Sequence, residues 1–137
     1  MEEFCGKVDF CLPREYSSGM KGERILIADD QSVVIEGVKS TLAAFGQEAG
    51  HKIVGEAHSK EEVEELLKGG LKPTLALVDG KFIKFGDGEE VAKVVRALSP
   101  ETYIVSFSSD PYKWGDTHCN KLISGRDLVN FLTSIQH

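Results

Sequence analysis

The sequence predicts one α/β domain whose parallel sheet is covered by helices on both faces. Segments with strand composition alternate with segments of helical periodicity from residue 24 to the end of the chain. Two strand segments, "ILIA" and "LALV", are apolar without a break, which is typical of strands buried on both faces. Together these two observations indicate an open α/β sandwich. The length of 137 residues suits one domain with a proper core.

The first strand and helix follow directly from residue 24. The run "RILIADD" predicts a buried strand that ends in two acids, and "SVVIEGVKSTLAAFG" predicts a helix. Ser32 is the predicted N-cap of this helix, and Gly46 is its predicted stop. The face expected to point inward consists of Val34, Val38, Leu42 and Phe45.

The middle of the chain predicts a second unit of the same kind. A short strand is expected around residues 53–56, followed by the helix "SKEEVEELLKGG". Ser59 with Glu62 three residues later forms a capping box, and two glycines end the helix. After Pro73 the run "TLALVD" predicts an apolar strand that ends in Asp79.

The C-terminal part predicts two more strands and two more helices. The run "GEEVAKVVRALS" is helical, "TYIVSFSS" has the composition of a strand, and a short strand is expected over residues 118–122. The segment "SGRDLVNFLTSI" closes the chain as a helix. The inward residues predicted for the two helices are Val91, Val94, Val95 and Leu98, and then Leu128, Phe131, Leu132 and Ile135.

The connection before the last strand is unusually short. Only the eight residues "DPYKWGDT" separate Ser109 from His118, whereas a parallel crossover normally needs a dozen or more. Eight extended residues reach about 26 Å, which is enough to return along a strand. We therefore expect a parallel last strand and a preceding helix that is missing or reduced to one turn. Tyr112 and Trp114 in this connection either cover the sheet or form a partner-binding patch.

Composition and termini narrow the possible functions. The formal net charge of -6 argues against a nucleic-acid partner, whose phosphates would be repelled. No apolar run approaches the roughly 18 residues of a membrane span, and the acidic start of the chain does not resemble a signal peptide. The three scattered cysteines favour free thiols in a reducing cytoplasm. Residues 1–23 show no sustained periodicity, so we expect an N-terminal extension at 1–23 and the domain at 24–137.

Polar residues stand where the predicted strands end. Asp29 and Asp30 follow the first strand, Asp79 ends the third, Ser108 ends the fourth, and Lys121 follows near the end of the last. The carboxyl ends of parallel strands meet at one edge of the sheet, where ligands bind. Adjacent carboxylates repel one another in a dry setting, and a cation would offset that repulsion. Carboxylate oxygens suit Mg²⁺, which also takes water and phosphate oxygens.

These motifs resemble the receiver domain of two-component response regulators. "ILIADD" is similar to that family's acidic-pair strand, and "LALVDG" to the strand with its phospho-accepting aspartate. "IVSFSS" is similar to the strand with the hydroxyl residue, and "HCNKLI" to the strand with the lysine. Each motif alone is weak, but four in the right order over residues 24–137 are specific. The resemblance implies a flavodoxin-like, CheY-like fold with five parallel strands in the order 2-1-3-4-5.

The resemblance also implies a role for each strand-end residue. Asp79 would take a phosphoryl group from a phosphohistidine. A Mg²⁺ ion would be held by Asp29, Asp30, Asp79 and the backbone carbonyl of Lys81. Ser108 would hydrogen-bond the acyl phosphate, and Lys121 would pair with its oxygens. His118 stands where the family often has an aromatic switch residue.

Two local departures from the family accompany the short connection. The segment after Asp79, "GKFIKFGDGEE", lacks the family's usual Met-Pro pair and places Lys81 and Lys84 beside the acceptor. Lys81 either screens the phosphate or points to solvent, and we favour solvent. Lys121 is followed by Leu122 rather than the usual proline, so the cis peptide common at that place is not expected.

The leading hypothesis is a stand-alone receiver rather than an enzyme acting on other substrates. It would accept phosphate from a histidine kinase or phosphotransfer protein and signal by contact with an unknown downstream protein, as a monomer or weak homodimer in the cytoplasm. The alternative is a pseudo-receiver that binds a partner without phosphorylation. A haloacid-dehalogenase-like phosphatase fits poorly, because such enzymes need a second aspartate where this chain has Lys81.

Overall fold

The computed structural model describes residues 22–80, 87–110 and 112–135. Strands and helices alternate along the chain within these residues. The strands are β1 (Arg24–Ala28), β2 (Lys52–Ala57), β3 (Leu75–Asp79), β4 (Tyr103–Ser108) and β5 (Thr117–Asn120). The helices are α1 (Ser32–Phe45), α2 (Lys60–Lys68), α3 (Asp87–Leu98) and α4 (Gly125–Ser134). None of the described helices is both long and apolar enough to cross a bilayer.

The five strands form one parallel sheet in the order β2-β1-β3-β4-β5, which confirms the predicted fold class. The chain reverses its direction of winding between β1 and β3. Crevices open at the carboxyl ends of the strands at such a reversal. The register pairs Ala28 with Val78 and Asp79 with Phe107, so the ends of β1, β3 and β4 lie level with one another.

The sheet separates two apolar layers, which explains the unbroken apolar runs in β1 and β3. Ile25 and Ile27 face the layer under α1 and α4, while Leu26 and Ala28 face the layer under α2 and α3. All four side chains are fully buried. Burying one aliphatic side chain of the size of leucine stabilises the fold by about 1.5–3 kcal/mol relative to leaving it exposed. The strand ends that carry the polar residues are thus fixed by packing on both sides.

Helix α1 differs from the prediction in its start and in its buried face. Gln31 rather than Ser32 is the N-cap, and its side chain makes no capping hydrogen bond. The buried residues of α1 are Ile35, Val38 and Leu42. Phe45 was predicted to be buried but is 45% exposed; it is the last residue of α1, and its ring centroid lies 5.2 Å from the guanidinium of Arg126.

Only one of the two hydrogen bonds of the predicted α2 capping box forms. The Ser59 side chain accepts a hydrogen bond from the backbone N–H of Glu62 at 3.2 Å. The Glu62 carboxylate reaches past Ser59 and accepts from the backbone N–H of His58 at 2.8 Å. This contact lowers the pKa of Glu62, since a hydrogen bond to the backbone favours the charged carboxylate.

The last two helices bury four of the eight predicted side chains and partly bury three more. Leu98 is 40% exposed because it lies in the last turn of α3, whereas the earlier Val91 and Val95 are fully buried. In α4, Val129 is buried beside Leu128 and Leu132, while the predicted Phe131 and Ile135 pack at the margin of the core. Strand β5 begins and ends slightly before the predicted range.

The β4–β5 connection contains no helix among its described residues, as predicted. The side chain of Trp114 packs against the core layer under α2 and α3, and its carbonyl oxygen accepts a hydrogen bond from Arg96 at 2.7 Å. The backbone of Asp116 then pairs with Ile104 at 2.7 Å and leads into β5. Trp114 therefore covers the sheet, which is the first of the two roles considered for it.

Candidate functional site

Three carboxylates meet at the carboxyl edge of the sheet. Asp29 and Asp30 directly follow β1, and Asp79 is the last residue of β3. One oxygen from each lies within 4.8 Å of the others. Asp29 and Asp79 are almost fully buried at 1% and 4% exposure, and Asp30 is half-buried. The structure therefore brings together the acids that the strand ends predicted.

Asp29 is held rigidly by its backbone and by one side-chain oxygen. Its backbone N–H donates to Ala57 at 3.0 Å, which extends the pairing of β1 with β2. Its Oδ1 accepts the backbone N–H of Gln31 at 2.9 Å. The buried Oδ2 has no well-directed hydrogen bond among the described residues, although Lys121 Nζ lies 2.8 Å away. An acceptor atom in this state suits a cation, because coordination by a cation does not depend on a donor hydrogen.

Lys121 supplies the positive charge of the cluster. Its Nζ lies 2.8 Å from Asp79 Oδ1 and 2.8 Å from Asp29 Oδ2. The backbone N–H of Lys121 donates to the carbonyl of Ser108 at 3.1 Å, which fixes the residue just beyond β5. Burial by itself would lower the pKa of Lys121, but hydrogen bonds to Asp29 and Asp79 more than offset it and raise that pKa. The ammonium therefore stays charged and neutralises part of the acidic cluster.

Two serines of β4 lie on the same side of the strand and differ in their partners. Ser108, the last residue of β4, is 5% exposed, and its Oγ accepts the backbone N–H of Asp110 at 3.2 Å. Ser106 is fully buried, and its Oγ lies 2.8 Å from Nδ1 of His118 in β5. We did not single out Ser106 from the sequence, although the two-residue period of a strand places it on the face of Ser108.

The backbone beside Asp79 is closely packed. A Cβ atom at Gly80 would overlap the ring of Tyr112 and would lie 2.9 Å from Cβ of Ser108. A Cβ atom at Gly88, in the first turn of α3, would overlap the carbonyl of Asp79 and the backbone of Gly80. Both positions therefore need glycine. Lys81 and Lys84, which the sequence placed in this loop, lie outside the described residues.

The donor set fits a small, hard divalent cation. All three acids offer carboxylate oxygen, which Mg²⁺ and Ca²⁺ prefer, and a Mg²⁺ site typically uses one or two such groups plus water or phosphate. Oδ2 of Asp29 adds a buried acceptor whose partner at 2.8 Å is the Lys121 ammonium, a cation that a metal ion could replace. Three carboxylates against one lysine also leave a negative balance in a buried cluster, which a divalent cation would relieve.

Comparisons with known proteins point to one class. No protein-family model and no curated protein matches the chain. Among solved structures, the signal receiver domain of the response regulator NarL from Mycobacterium tuberculosis is 26% identical over 81% of this chain and 93% of its own, with a TM-score of 0.66. A CheY-like receiver domain protein from Methanospirillum hungatei is 20% identical over 81% of this chain and 90% of its own, with a TM-score of 0.65.

A third solved structure contains a chemically modified residue. It is a response regulator protein from Burkholderia pseudomallei with a phosphorylated aspartic acid, a calcium ion and citrate, 19% identical over 82% of this chain and 67% of its own, with a TM-score of 0.62. The strand order, the strand-end acids and these likenesses agree. The chain is a CheY-like receiver domain in its fold.

Proposed function

We propose that this protein is a response regulator receiver that takes a phosphoryl group onto Asp79 in a Mg²⁺-dependent reaction. The observation that carries the proposal is the contact of Lys121 Nζ with Asp79 and Asp29 at 2.8 Å each, inside a cluster of three carboxylates. Phosphoryl transfer depends on positioning the reacting groups and on neutralising the charge of the phosphoryl oxygens. A charged lysine and an acid pair that can bind a cation, both next to one buried aspartate, meet these needs.

The residues of this chain would divide the work as follows. A carboxylate oxygen of Asp79 attacks the phosphorus of a phosphohistidine; the new O–P bond forms as the P–N bond breaks, and the imidazole leaves with a proton. The ammonium of Lys121 moves from the carboxylates to the phosphoryl oxygens, and the Ser108 hydroxyl donates a hydrogen bond to another phosphoryl oxygen. Asp29, Asp30 and Asp79, with the carbonyl of Lys81, would hold Mg²⁺, which supplies charge neutralisation at the transferred group when bound.

Several observations support the choice of Asp79 over its neighbours. Asp79 alone of the three acids lies within a strand, β3, which is flanked by β1 and β4. Oδ1 of Asp29 already accepts a hydrogen bond from the backbone N–H of Gln31. The Burkholderia pseudomallei response regulator, which is similar in fold, contains a phosphorylated aspartic acid and a calcium ion, and this supports the proposal.

The proposed partners follow from the class. A receiver domain generally works with a two-component kinase, so the phosphoryl donor would be a histidine kinase or a histidine phosphotransfer protein. Output would come through contact with a downstream protein, with the receiver a monomer or weak homodimer in the cytoplasm. The negative net charge supports a protein partner over a nucleic acid. Its own phosphorylation and dephosphorylation would be the only reactions it catalyses.

A second candidate is a pseudo-receiver that binds a partner without being phosphorylated. The β4–β5 connection favours it, because its described residues form no helix and the surface there differs from that of the receivers this fold resembles. The ammonium of Lys121 also partly neutralises the acids, so the fold does not depend on a metal to offset them fully.

Intact-mass measurement after incubation with Mg²⁺ and acetyl phosphate separates the two functions. We expect a single phosphoryl adduct on the parent protein, none on Asp79→Asn, and none on the parent when EDTA replaces Mg²⁺. Asp110→Asn is the matched control, since it changes another acid near the carboxyl edge, and should keep the adduct. No adduct on the parent, together with no Mg²⁺ binding by titration, would establish the pseudo-receiver.

A further inference from the structure

The ring of Tyr112 lies directly over the residue that follows the proposed phosphoacceptor. The contact is so close that any side chain at Gly80 would overlap ring atoms Cε2 and Cδ2 of Tyr112. The side chain of Ser108 approaches Gly80 from the same strand end, with its Cβ 2.9 Å from where a Cβ of residue 80 would lie. Gly80, Ser108 and Tyr112 thus form one packed flank beside Asp79.

Tyr112 is held in place by its neighbours in the shortened connection. Its ring centroid lies 5.9 Å from that of Trp114, at an interplanar angle of 36°. Trp114 is in turn anchored by core packing and by the hydrogen bond from Arg96 to its carbonyl oxygen at 2.7 Å. The backbone of Tyr112 donates to Asp110 at 3.1 Å. Such a tilted aromatic pair has a preferred geometry and restricts the ring over Gly80.

We propose that the Tyr112 ring shields one flank of the acyl phosphate on Asp79 from water and thereby slows its hydrolysis. This inference rests on the proposed function. Tyr112 is a positioning residue in this role, because its ring touches Gly80 rather than the reacting atoms. An eight-residue connection lets the ring reach this place; a connection that formed a full helix would carry residue 112 away from Gly80.

The reaction that the ring opposes is the attack of water on phosphorus. The water oxygen forms a bond to phosphorus as the bond from phosphorus to the Asp79 oxygen breaks. Asp79 regains its carboxylate, and the water's proton passes to inorganic phosphate or to solvent. Excluding water from a site is a recognised way to protect a reactive intermediate from hydrolysis. An apolar ring fixed beside the acceptor does this without taking part in the transfer.

The lifetime of the phosphorylated protein tests the proposal. The parent, Tyr112→Ala, Tyr112→Phe and Lys113→Ala are phosphorylated with acetyl phosphate and Mg²⁺, the donor is removed, and loss of the adduct is followed by intact mass. We expect Tyr112→Ala to lose phosphate roughly fivefold faster or more. Tyr112→Phe keeps the ring and should match the parent. Lys113→Ala alters the exposed neighbour of Tyr112 and should also match the parent.

Each contrary result has a definite meaning. Equal lifetimes for the parent and Tyr112→Ala would overturn the shield while leaving the phosphoacceptor in place. Equally short lifetimes for Tyr112→Phe and Tyr112→Ala would also overturn it, because the ring would then not be the protecting group. If urea denaturation shows that Tyr112→Ala is unfolded, Tyr112→Leu replaces it; since leucine lacks the ring that covers Gly80, this variant must lose phosphate faster than the parent. No adduct on the parent would overturn the proposed function and this inference together.

Discussion

Lys121 Nζ lies at the same distance, 2.8 Å, from Asp29 Oδ2 and from Asp79 Oδ1, so one ammonium contacts carboxylates at the ends of two neighbouring strands. Asp29 and Asp79 come from β1 and β3, which are adjacent in the sheet, and Lys121 follows β5 at its margin. A divalent cation at the acids and the ammonium would compete for the same oxygens. Metal binding would therefore release Lys121 from Asp29 and leave it available to a phosphoryl group.

Replacing Lys121 with methionine tests this balance of charges. Lys121→Met keeps most of the apolar stem of the side chain but leaves two buried carboxylates without their ammonium. Since Lys121 is 20% exposed, we expect a loss at the low end of the range for a buried ion pair, about 3 kcal/mol in the free energy of unfolding in EDTA. Saturating Mg²⁺ should restore most of that loss. Urea denaturation with and without Mg²⁺ measures both effects. Lys113→Met is the control, because Lys113 is exposed and should change stability little. An unchanged midpoint for Lys121→Met in EDTA would contradict the prediction.

Mg²⁺ should stabilise the native protein through Asp30. Because Asp30 is half-buried while Asp29 and Asp79 are buried, Asp30→Asn removes a ligand with little damage to packing. At a hundredfold excess over its dissociation constant, a ligand that binds only the folded state adds about 2.7 kcal/mol. At that excess we expect a gain of this size in the parent and almost none in Asp30→Asn. Thermal denaturation over a Mg²⁺ series gives the comparison, and equal gains in both proteins would exclude Asp30 as a ligand.

Cys119 should be inert until the protein unfolds. It is 2% exposed, and burial raises the pKa of its thiol to about 11, from an ordinary value of 9.0. At pH 8 the native thiol would hold roughly a hundredfold less thiolate, the reactive species, than an ordinary cysteine. In a Cys5→Ser/Cys11→Ser background, alkylation at pH 8 should be very slow in buffer and fast in urea. Rapid labelling in buffer would show that β5 opens readily.

His51 should make stability fall on mild acidification. Its Nδ1 accepts the backbone N–H of Glu23 at 2.9 Å, and its Nε2 lies 3.0 Å from Thr133 Oγ1, which itself donates to the carbonyl of Val129. The ring must therefore be neutral with its proton on Nε2. Burial lowers the pKa of His51 below its ordinary 6.5, and the charge of Glu23 opposes this only in part.

The sign of the pH effect follows from the lowered pKa. The unfolded chain binds a proton near pH 6.5 and the folded protein only at lower pH, so this contribution to stability is complete above 6.5 and is lost as the pH falls through the folded pKa. We expect His51→Asn to flatten the decline in the free energy of unfolding between pH 7.5 and 5.5 by up to about 1 kcal/mol. Urea denaturation at several pH values measures it. Parallel pH profiles for the parent and the variant would refute this assignment.

The sequence was sufficient for features that depend on short-range pattern. The acids after "ILIA" and at the end of "LALVD" followed from strand burial, and the eight-residue link limited the space for a helix. The buried face of α1 was harder to predict from the sequence, because Val34 and Ile35 are adjacent and both apolar. A periodic pattern accommodates either residue, and the structure buries Ile35 fully and Val34 partly.

Contacts between side chains that are far apart in the chain could not be predicted from the sequence alone. The ring of Tyr112 over Gly80 depends on the path of a connection without a helix, for which no periodicity exists. The Ser106–His118 hydrogen bond depends on the register of β4 against β5, which pairs these two residues directly. Likewise, the sequence predicted that Lys121 follows the last strand. It could not predict that one ammonium contacts two carboxylates, because that contact depends on how three strand ends lie relative to one another.

The shortened β4–β5 connection also bears on how this protein folds. Each halving of a flexible loop lowers the entropic cost of closing it by about 0.6 kcal/mol, so β5 can dock on β4 at less cost than through a helical crossover. Parallel strands usually pair late in folding because their partners are distant along the chain. Here His118 pairs with Ser106, only twelve positions earlier. This edge of the sheet is therefore suited to form early and to offer β4 as a template on which β3 and β1 assemble.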